Sequence, residues 1–408
     1  MEIFFQNKYL QKDSPVPLYH QLKEIFLSFI SSYPDGTSFP TENEICRQFQ
    51  VSRPTVRQAM KELENEGLIQ RVKAKGTIVR KNYTNIKKIY QNISEEKIYF
   101  PLNFHYKSIS LDTKKGGISV FTHRAGYFQV LKDTLAQELS RFHINEIITD
   151  ANDSAQLQIR QLDDLIDQQV DLIILDPVTP PGELNFILEK IYNHNIPVIA
   201  INSMADEHSP ILTYVGCDSF ELGSRIGIHI GNYLLNKYDK VTGNVVIIEG
   251  DPSNIAGEAR GRGMIHGISL IDPNHTVKVL EKTPGYWLKD KGKEAVFRVL
   301  KKYKKIDVIF SYSDTMTLGC IEATKEANRT DIIFSSIDGS KEALQNMSRG
   351  GQLKAIGIND PVRIGKLGAN IAALFLDTGL IPSKKILTEP IIITPETVHA
   401  YFDSKSSF

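Results

Sequence analysis

Apolar positions follow two different rhythms along this chain. Near the N-terminus they recur at helical spacing; further on they form short runs separated by amphipathic stretches. In PLYHQLKEIFLSF, Leu18, Leu22, Ile25, Phe26 and Phe29 share one face and predict a helix. Ile45 and Phe49 stand at i and i+4, Val51 is an apolar turn residue, and Val56, Met60 and Leu63 continue the apolar face on a second helix. Thr41 is placed to cap the first of these helices, and Glu44 completes a capping box. Ser52 is placed to cap the second, with Pro54 in its first turn, where a missing N–H costs nothing, and Gly67 at its end. Leu68–Val72 and Thr77–Arg80 alternate as two short strands around the turn Lys73-Ala74-Lys75-Gly76.

Helix, turn, helix and basic hairpin make the layout of a winged helix-turn-helix, and that layout points to double-stranded DNA. Arg53, Thr55, Arg57 and Gln58 lie at the start of the second helix, the end that enters a major groove. Arg can bond guanine O6 and N7, and Gln can bond adenine. Arg71, Lys73, Lys75, Arg80 and Lys81 suit a phosphate backbone or minor groove. Taken singly, the helix residues also read as a solvated surface and the hairpin as an edge guarded by lysines, readings that the agreement of caps, core spacing and wing disfavours. The pieces PLYHQLKEIF, FPTENEICRQFQVSRPTVRQAMKELENEGLI and KGTIV resemble the GntR family of bacterial regulators over residues 10–80. The resemblance implies DNA contact by Arg53, Thr55, Arg57 and the wing around Gly76. With Thr41, Ser52, Gln58, Arg71, Lys73 and Lys75 these form the expected DNA-binding set. The family often carries a basic residue after the glutamate at Glu42; Asn43 stands there, which puts that contact and the operator in question.

The remaining chain alternates strand and helix patterns. Ile118–Phe121, Glu146–Thr149, Asp171–Leu175, Val198–Ile201, Val245–Ile248, Val308–Phe310 and Ile332–Phe334 read as strands with amphipathic helices between them. Such a pattern implies parallel sheets covered on both faces, with ligand beyond the carboxyl ends of the strands. Tyr127, Phe128, Asp176, Asn202, Ser203, Glu258, Ser313, Asp314, Asp338 and Asn359 collect at those ends, and Trp287 lies in PGYWLKDKG. Carboxylates and amides suit vicinal hydroxyls, and flat aromatics cover the apolar face of a sugar ring. Individually, Asp314 also reads as a helix cap, Tyr127 and Phe128 as core, Asp338-Gly339 as a turn, and Glu258 with Arg260 as a surface ion pair.

The pieces AGYFQVLKD, DLIILDPV, IPVIAINS, YVGCDSFELGSRIG, ARGRGM, VIFSYSDTMTLG, FSSIDG and INDPVRIGKLG resemble the LacI-type effector domain and periplasmic sugar-binding proteins, nearest the ribose-binding branch. The resemblance implies that Tyr127, Phe128 and Trp287 stack on a ligand and that the polar set bonds it. Asn202-Ser203 replaces a usual Asp-Arg, and Glu258 a usual Arg. Asp176, Glu258 and Asp338, all ionised, would disfavour sugar acids and phosphates.

The expected fold class is therefore α/β: a small winged helix-turn-helix domain at 1–81, a linker at 82–115, and a two-lobed periplasmic-binding-protein-like (type I) domain with parallel sheets at 116–408. Lobe one is expected at about 116–217 and 360–386, lobe two at about 218–359 and 387–403. The linker's aromatics (Tyr99, Phe100, Phe104, Tyr106) can pack on either domain or on a partner subunit. Formal charge is zero, so basic character is local. Cys46, Cys217 and Cys320 lack metal-ligand spacing and read as reduced thiols, and His123 is a lone histidine. No signal peptide, membrane span, phosphate loop or nucleophile elbow is visible. These features imply a cytoplasmic protein without cofactor, metal or enzymatic activity. The two resemblances together imply the expected function: a homodimeric repressor released from a near-palindromic operator by a small sugar or polyol. A nucleoside or amine-bearing effector, or a ligand-free dimerisation domain, is the alternative.

Overall fold

The computed structural model of the protein describes residues 10, 17–32, 36–65, 68–73, 75–80, 93–100, 106, 113–122, 126–178, 180–206 and 208–402. Gly67, Ala74, Lys81, Phe104 and His123, each singled out above, lie outside the described residues.

Local capping chemistry starts the N-terminal helices. Glu44 N donates to Thr41 Oγ1 (3.3 Å) and Thr41 N to Glu44 Oε2 (2.8 Å), which closes the capping box of α2 (Glu42–Phe49). Gln50, at φ 52°, ends that helix in the left-handed region. Ser52 Oγ accepts from Thr55 N (3.4 Å) at the start of α3 (Arg53–Asn65). Leu22, Ile25 and Phe26 of α1 (Leu18–Ser32) join Ile45, Phe49, Val56, Met60 and Leu63 in one buried core. The wing is β1 (Ile69–Val72) antiparallel to β2 (Gly76–Val79), with Val72 opposite Gly76. Gly76 turns the chain at φ 80°, a conformation that favours glycine.

Lobe one is a seven-stranded sheet. Its strands are β3 (Lys97–Phe100), β4 (Lys114–Val120), β5 (Ile144–Asp150), β6 (Leu172–Leu175), β7 (Val198–Ile201), β8 (Thr213–Cys217) and β14 (Lys385–Thr388). They run in the order β3-β14-β8-β7-β6-β4-β5, with every pairing parallel. β6 and β7, LIIL and VIAI, are buried at every position, as strands covered on both faces must be. Helices α4 (Gly126–Arg141), α5 (Ala155–Asp167), α6 (Asn185–Asn193) and α12 (Pro361–Thr378) belong to this lobe, and α12 packs on α4.

Lobe two holds β9 (Gly243–Glu249), β10 (Val277–Pro284), β11 (Val308–Ser311), β12 (Ile333–Asp338), β13 (Leu353–Ile358) and β15 (Ile392–Ile393), in the order β10-β9-β11-β12-β13-β15. Its pairings are parallel except β15 on β13. Its helices are α7 (Ser219–Tyr238), α8 (Ile255–Ile271), α9 (Lys289–Lys302), α10 (Asp314–Glu326) and α11 (Lys341–Ser348).

The chain crosses between lobes three times: between β8 and α7, between β13 and α12, and between β14 and β15. The third crossing falls after Thr388, so the expected break at residue 386 lies inside a strand. The linker is shorter than expected. Lys97–Phe100 already forms the edge strand β3 on β14, and Lys97 Nζ binds Asp218 Oδ2 at 2.7 Å. Too short and polar to announce itself, KIYF is ordered by the neighbouring strand. No helix among the described residues is long and apolar enough to cross a membrane.

Candidate ligand crevice and nucleic-acid interface

On the head, the polar face of α3 is open. Arg53, Arg57 and Gln58 are exposed and Thr55 is half-buried beside its cap. The arginines are held in place. Arg53 Nη2 donates to Asn43 Oδ1 (2.8 Å), and Arg57 Nε to Glu42 Oε2 (2.8 Å). Arg71 of the wing reaches Glu42 (3.6 Å) and Glu64 (3.5 Å). Lys73 and Lys75 stand exposed on either side of the turn. Glu42 thus joins α3 and the wing, a role no local pattern signals. Asn43, the departure from the GntR pattern, serves here as a guide for Arg53.

Between the lobes lies a crevice of about 600 Å³, its open mouth included. Tyr127, Phe128, Asp176, Asn202, Ser203, Trp287, Ser313, Asp338 and Asn359, all expected at strand ends, line it together. Phe121, Pro177, Asn254, Ala256, Arg260 and Thr315 complete the lining. Phe121 pairs with Phe128 at 5.2 Å between ring centroids, and the bare Cα of Gly250 makes room for the Trp287 indole.

Two of the expected residues lie elsewhere. Glu258 points to solvent from α8 and pairs with Arg262 one turn on (3.5 Å), whereas Arg260, two residues along, is 5% exposed and faces the crevice. Residues two apart on a helix occupy different faces, so reading the wrong one exchanges a guanidinium for a carboxylate. A guanidinium therefore remains in the crevice. Asp314 is fully buried behind the lining, not part of it. Its carboxylate accepts from Gly339 N (2.8 Å), Ser340 N (2.6 Å) and Ser336 Oγ, and so pins the turn that follows Asp338. The cap of α10 is Ser313, whose Oγ accepts from Met316 N (3.3 Å).

A polar web spans the lobes. Tyr127 Oη donates to Asn202 Oδ1 (2.8 Å), Asn359 Nδ2 donates to Tyr127 Oη (3.0 Å) and lies 3.3 Å from Asp338 Oδ1, and Asn202 Nδ2 reaches Asp176 Oδ1 at 3.3 Å. Arg260 donates to the Tyr312 carbonyl, lies 3.7 Å from Asp338 and sits 5.9 Å over the Trp287 ring. Three buried atoms in this lining have no hydrogen-bond partner: Asp176 Oδ2, Asn359 Oδ1 and Arg260 Nε. Unpartnered buried polar groups are uncommon and mark places where something else belongs. Asn202, Trp287 and Asp338 also hold positive φ (63°, 62° and 143°), the kind of backbone strain that gathers at ligand sites.

Burial sets the charges. It pushes the Asp176 carboxyl up to about 7, against the Asn202 side-chain amide and the nearby backbone N–H groups of Ser203 and Phe121. Burial also raises Asp338, and the neighbouring Asp314 carboxyl adds to that rise while Arg260 opposes it. The condition on which three carboxylates would disfavour anionic ligands, that all face the ligand and stay ionised, is therefore not met: Glu258 lies elsewhere, and the two that remain are held toward their neutral forms. Among the described residues no group of three or more His, Cys, Asp or Glu could hold a metal ion.

Residues 117–379 match the family model described as periplasmic binding protein domain. The chain belongs to that family. Residues 18–79 match the bacterial regulatory proteins of the gntR family, so the periplasmic-binding-protein domain is fused behind a GntR-type regulatory head. Among relatives, the ribose import binding protein RbsB of Bacillus subtilis (strain 168) is 28% identical over 256 residues, covering 63% of this chain and 79% of that protein. A xylitol-binding protein of Mycolicibacterium smegmatis (strain ATCC 700084 / mc(2)155) is 26% identical over 286 residues, covering 70% and 77%. The solved structure of an ABC transporter solute binding protein from Mycobacterium smegmatis with bound glycerol superposes with a TM-score of 0.66 at 21% identity, covering 73% of this chain and 99% of that one. That likeness establishes the type I periplasmic-binding-protein fold.

Proposed function

We propose that this protein is a transcriptional regulator whose affinity for DNA is set by a small neutral sugar or polyol held between the two lobes. The observation that carries the reading is the set of unpartnered atoms in the crevice. Asp176 Oδ2 and Asn359 Oδ1 accept and Arg260 Nε donates, beside the aromatic faces of Phe128 and Trp287. A molecule with several hydroxyls and an apolar ring face satisfies all of them. Among the described residues the one cation of the lining, Arg260, is already engaged by the Tyr312 carbonyl and lies 3.7 Å from Asp338, which favours a neutral ligand over sugar acids and phosphates. The names of the ribose- and xylitol-binding relatives support the same class.

On this reading Arg53, Thr55, Arg57 and Gln58 read the major groove, with Thr41, Ser52, Arg71, Lys73, Lys75 and Gly76 completing the contact surface. The protein acts as a homodimer on a near-palindromic operator in the cytoplasm, and ligand releases it. It catalyses no reaction; neither family described above is one of enzymes. Ligand in the crevice favours the closed arrangement of the lobes in proportion to its differential affinity for the two arrangements.

Trp287 is the single tryptophan of the chain, so its emission reports on the crevice alone. Titration of the purified protein with neutral sugars, polyols, amino sugars and nucleosides, with thermal unfolding alongside, tests the reading. A sugar or polyol at about 100 times its Kd is expected to change Trp287 emission and add about 2.7 kcal/mol to stability. A response confined to nucleosides or amines would replace the ligand class, and no response at all would leave the domain a dimerisation module.

A further inference from the structure

One helix touches both candidate sites. Asn359, 2% exposed, lies at the second crossing and bonds Tyr127 of lobe one (3.0 Å) while reaching Asp338 of lobe two (3.3 Å). The next residue, Asp360, caps α12: its Oδ1 accepts from Val362 N (2.8 Å) and Arg363 N (3.4 Å), and Pro361 opens the first turn. From there α12 runs 18 residues, about 27 Å at 1.5 Å per residue, and stops at Gly379, in the left-handed region at φ 71°.

Along that length α12 is bound closely to the ligand-bearing wall of lobe one. A Cβ on Gly365 would approach Thr134 of α4 to 3.0 Å, and one on Gly368 would meet Ile201 at 2.7 Å. The helix α4 carries Tyr127 and Phe128 in its first turn, and Ile201 precedes Asn202. At both glycines the Thr134 and Ile201 side chains pack directly on the α12 backbone, so small shifts of that wall reach it directly.

The far end meets the head. Leu380, just past the helix, packs on the hydrophobic core of the winged domain, and α1 lies against α12. Tyr106, between β3 and β4 of lobe one, holds the same half of the helix to that lobe. Tyr106 donates its backbone N–H to Asn370 Oδ1 and its hydroxyl to Asp377 Oδ2 (3.0 Å), and both acceptor residues are buried.

We infer that α12 carries ligand occupancy from Asn359 to the DNA-binding head, with Leu380 as its output contact. The inference rests on the regulatory reading above. Lobe closure repositions the crossing at Asn359, α12 moves as a rod, and the head follows through its anchored core.

The test measures operator affinity of the full chain with and without saturating ribose, xylitol or myo-inositol, whichever changes Trp287 emission. The duplex is one selected by the wild-type protein. Leu380→Ser and Leu380→Ala are compared with wild type. Wild type is expected to show a sugar-dependent change of about fivefold or more. Both variants are expected to keep the wild-type sugar Kd and to bind the operator, with the sugar effect reduced below about twofold. A sugar effect of wild-type size in both variants overturns the inference. If Leu380→Ser loses operator binding altogether, Leu380→Ala, which trims the same contact without adding a polar group, decides alone. A wild-type protein with no sugar effect overturns the regulatory reading itself, and the coupling falls with it.

Discussion

Arg260→Met is the sharpest perturbation of the crevice. Arg260 is the residue whose placement separates the folded site from its linear reading, and its Nε is one of the three unpartnered atoms. Methionine keeps the length and the apolar contact with Trp287 but removes every donor. A hydrogen bond to a charged group contributes about 1.5–3 kcal/mol, so the Kd of a bound sugar should rise roughly 10- to 150-fold. The fold should survive. Breaking a buried ion pair costs about 3–5 kcal/mol when it strands a charge, but Asp338 is already raised by burial and by Asp314, and it escapes by keeping a proton. The assay is a fluorescence titration of Trp287, with thermal unfolding as the control for folding. Loss of the 5.9 Å guanidinium–indole contact should also alter the emission of the ligand-free variant. A sugar Kd within about twofold of wild type would refute the assignment of Arg260 to the ligand.

Glu258→Gln, on the solvent face of the same helix, should leave sugar affinity unchanged in that titration; a rise comparable to that of Arg260→Met would reverse the two assignments. Sugar affinity should depend on pH through Asp176. Ligand hydroxyls donate to the ionised carboxylate, so binding releases a proton, and affinity is full above about 7 and lost as pH falls through that value. The loss from pH 8 to pH 6 should be about tenfold by calorimetry, and a flat profile would show that Asp176 does not accept from the ligand. In the ligand-free protein the sign is opposite: the raised carboxyl lowers stability as pH climbs from near its ordinary value toward 7. Arg57→Ala should weaken operator binding by about 1–3 kcal/mol and relax sequence preference if Arg57 reads a base; unchanged affinity in a gel-shift titration would remove it from the interface.

The head was legible because its signals are local. Thr41 with Glu44, Ser52 with Pro54, and the i, i+4 apolar pair Ile45 and Phe49 act within a turn or two, and each appears in place. The crevice was legible for a topological reason: parallel strands deliver their carboxyl ends to one side, so Asp176, Asn202, Asp338 and Asn359 converge although far apart in sequence. Helix phase was not legible. Choosing between Glu258 and Arg260 requires knowing which face of α8 turns inward. Nor was depth: Asp314 and Ser313 are neighbours, yet one lines the crevice and the other braces Asp338 from behind. Contacts across the chain, such as Arg57 with Glu42, Lys97 with Asp218 and Tyr106 with Asp377, leave no periodic trace. The same holds for the edge strand β3, which pairing with β14 creates.

The central claim is that occupancy of the crevice sets affinity for DNA. Its most direct measurement is operator affinity of the full chain as a function of sugar concentration, set beside the Trp287 titration under the same conditions. The account predicts that operator binding weakens as sugar is added, with its midpoint at the concentration that half-saturates the Trp287 signal once linkage to DNA is included. Operator affinity that stays constant while Trp287 reports a filled crevice would contradict it.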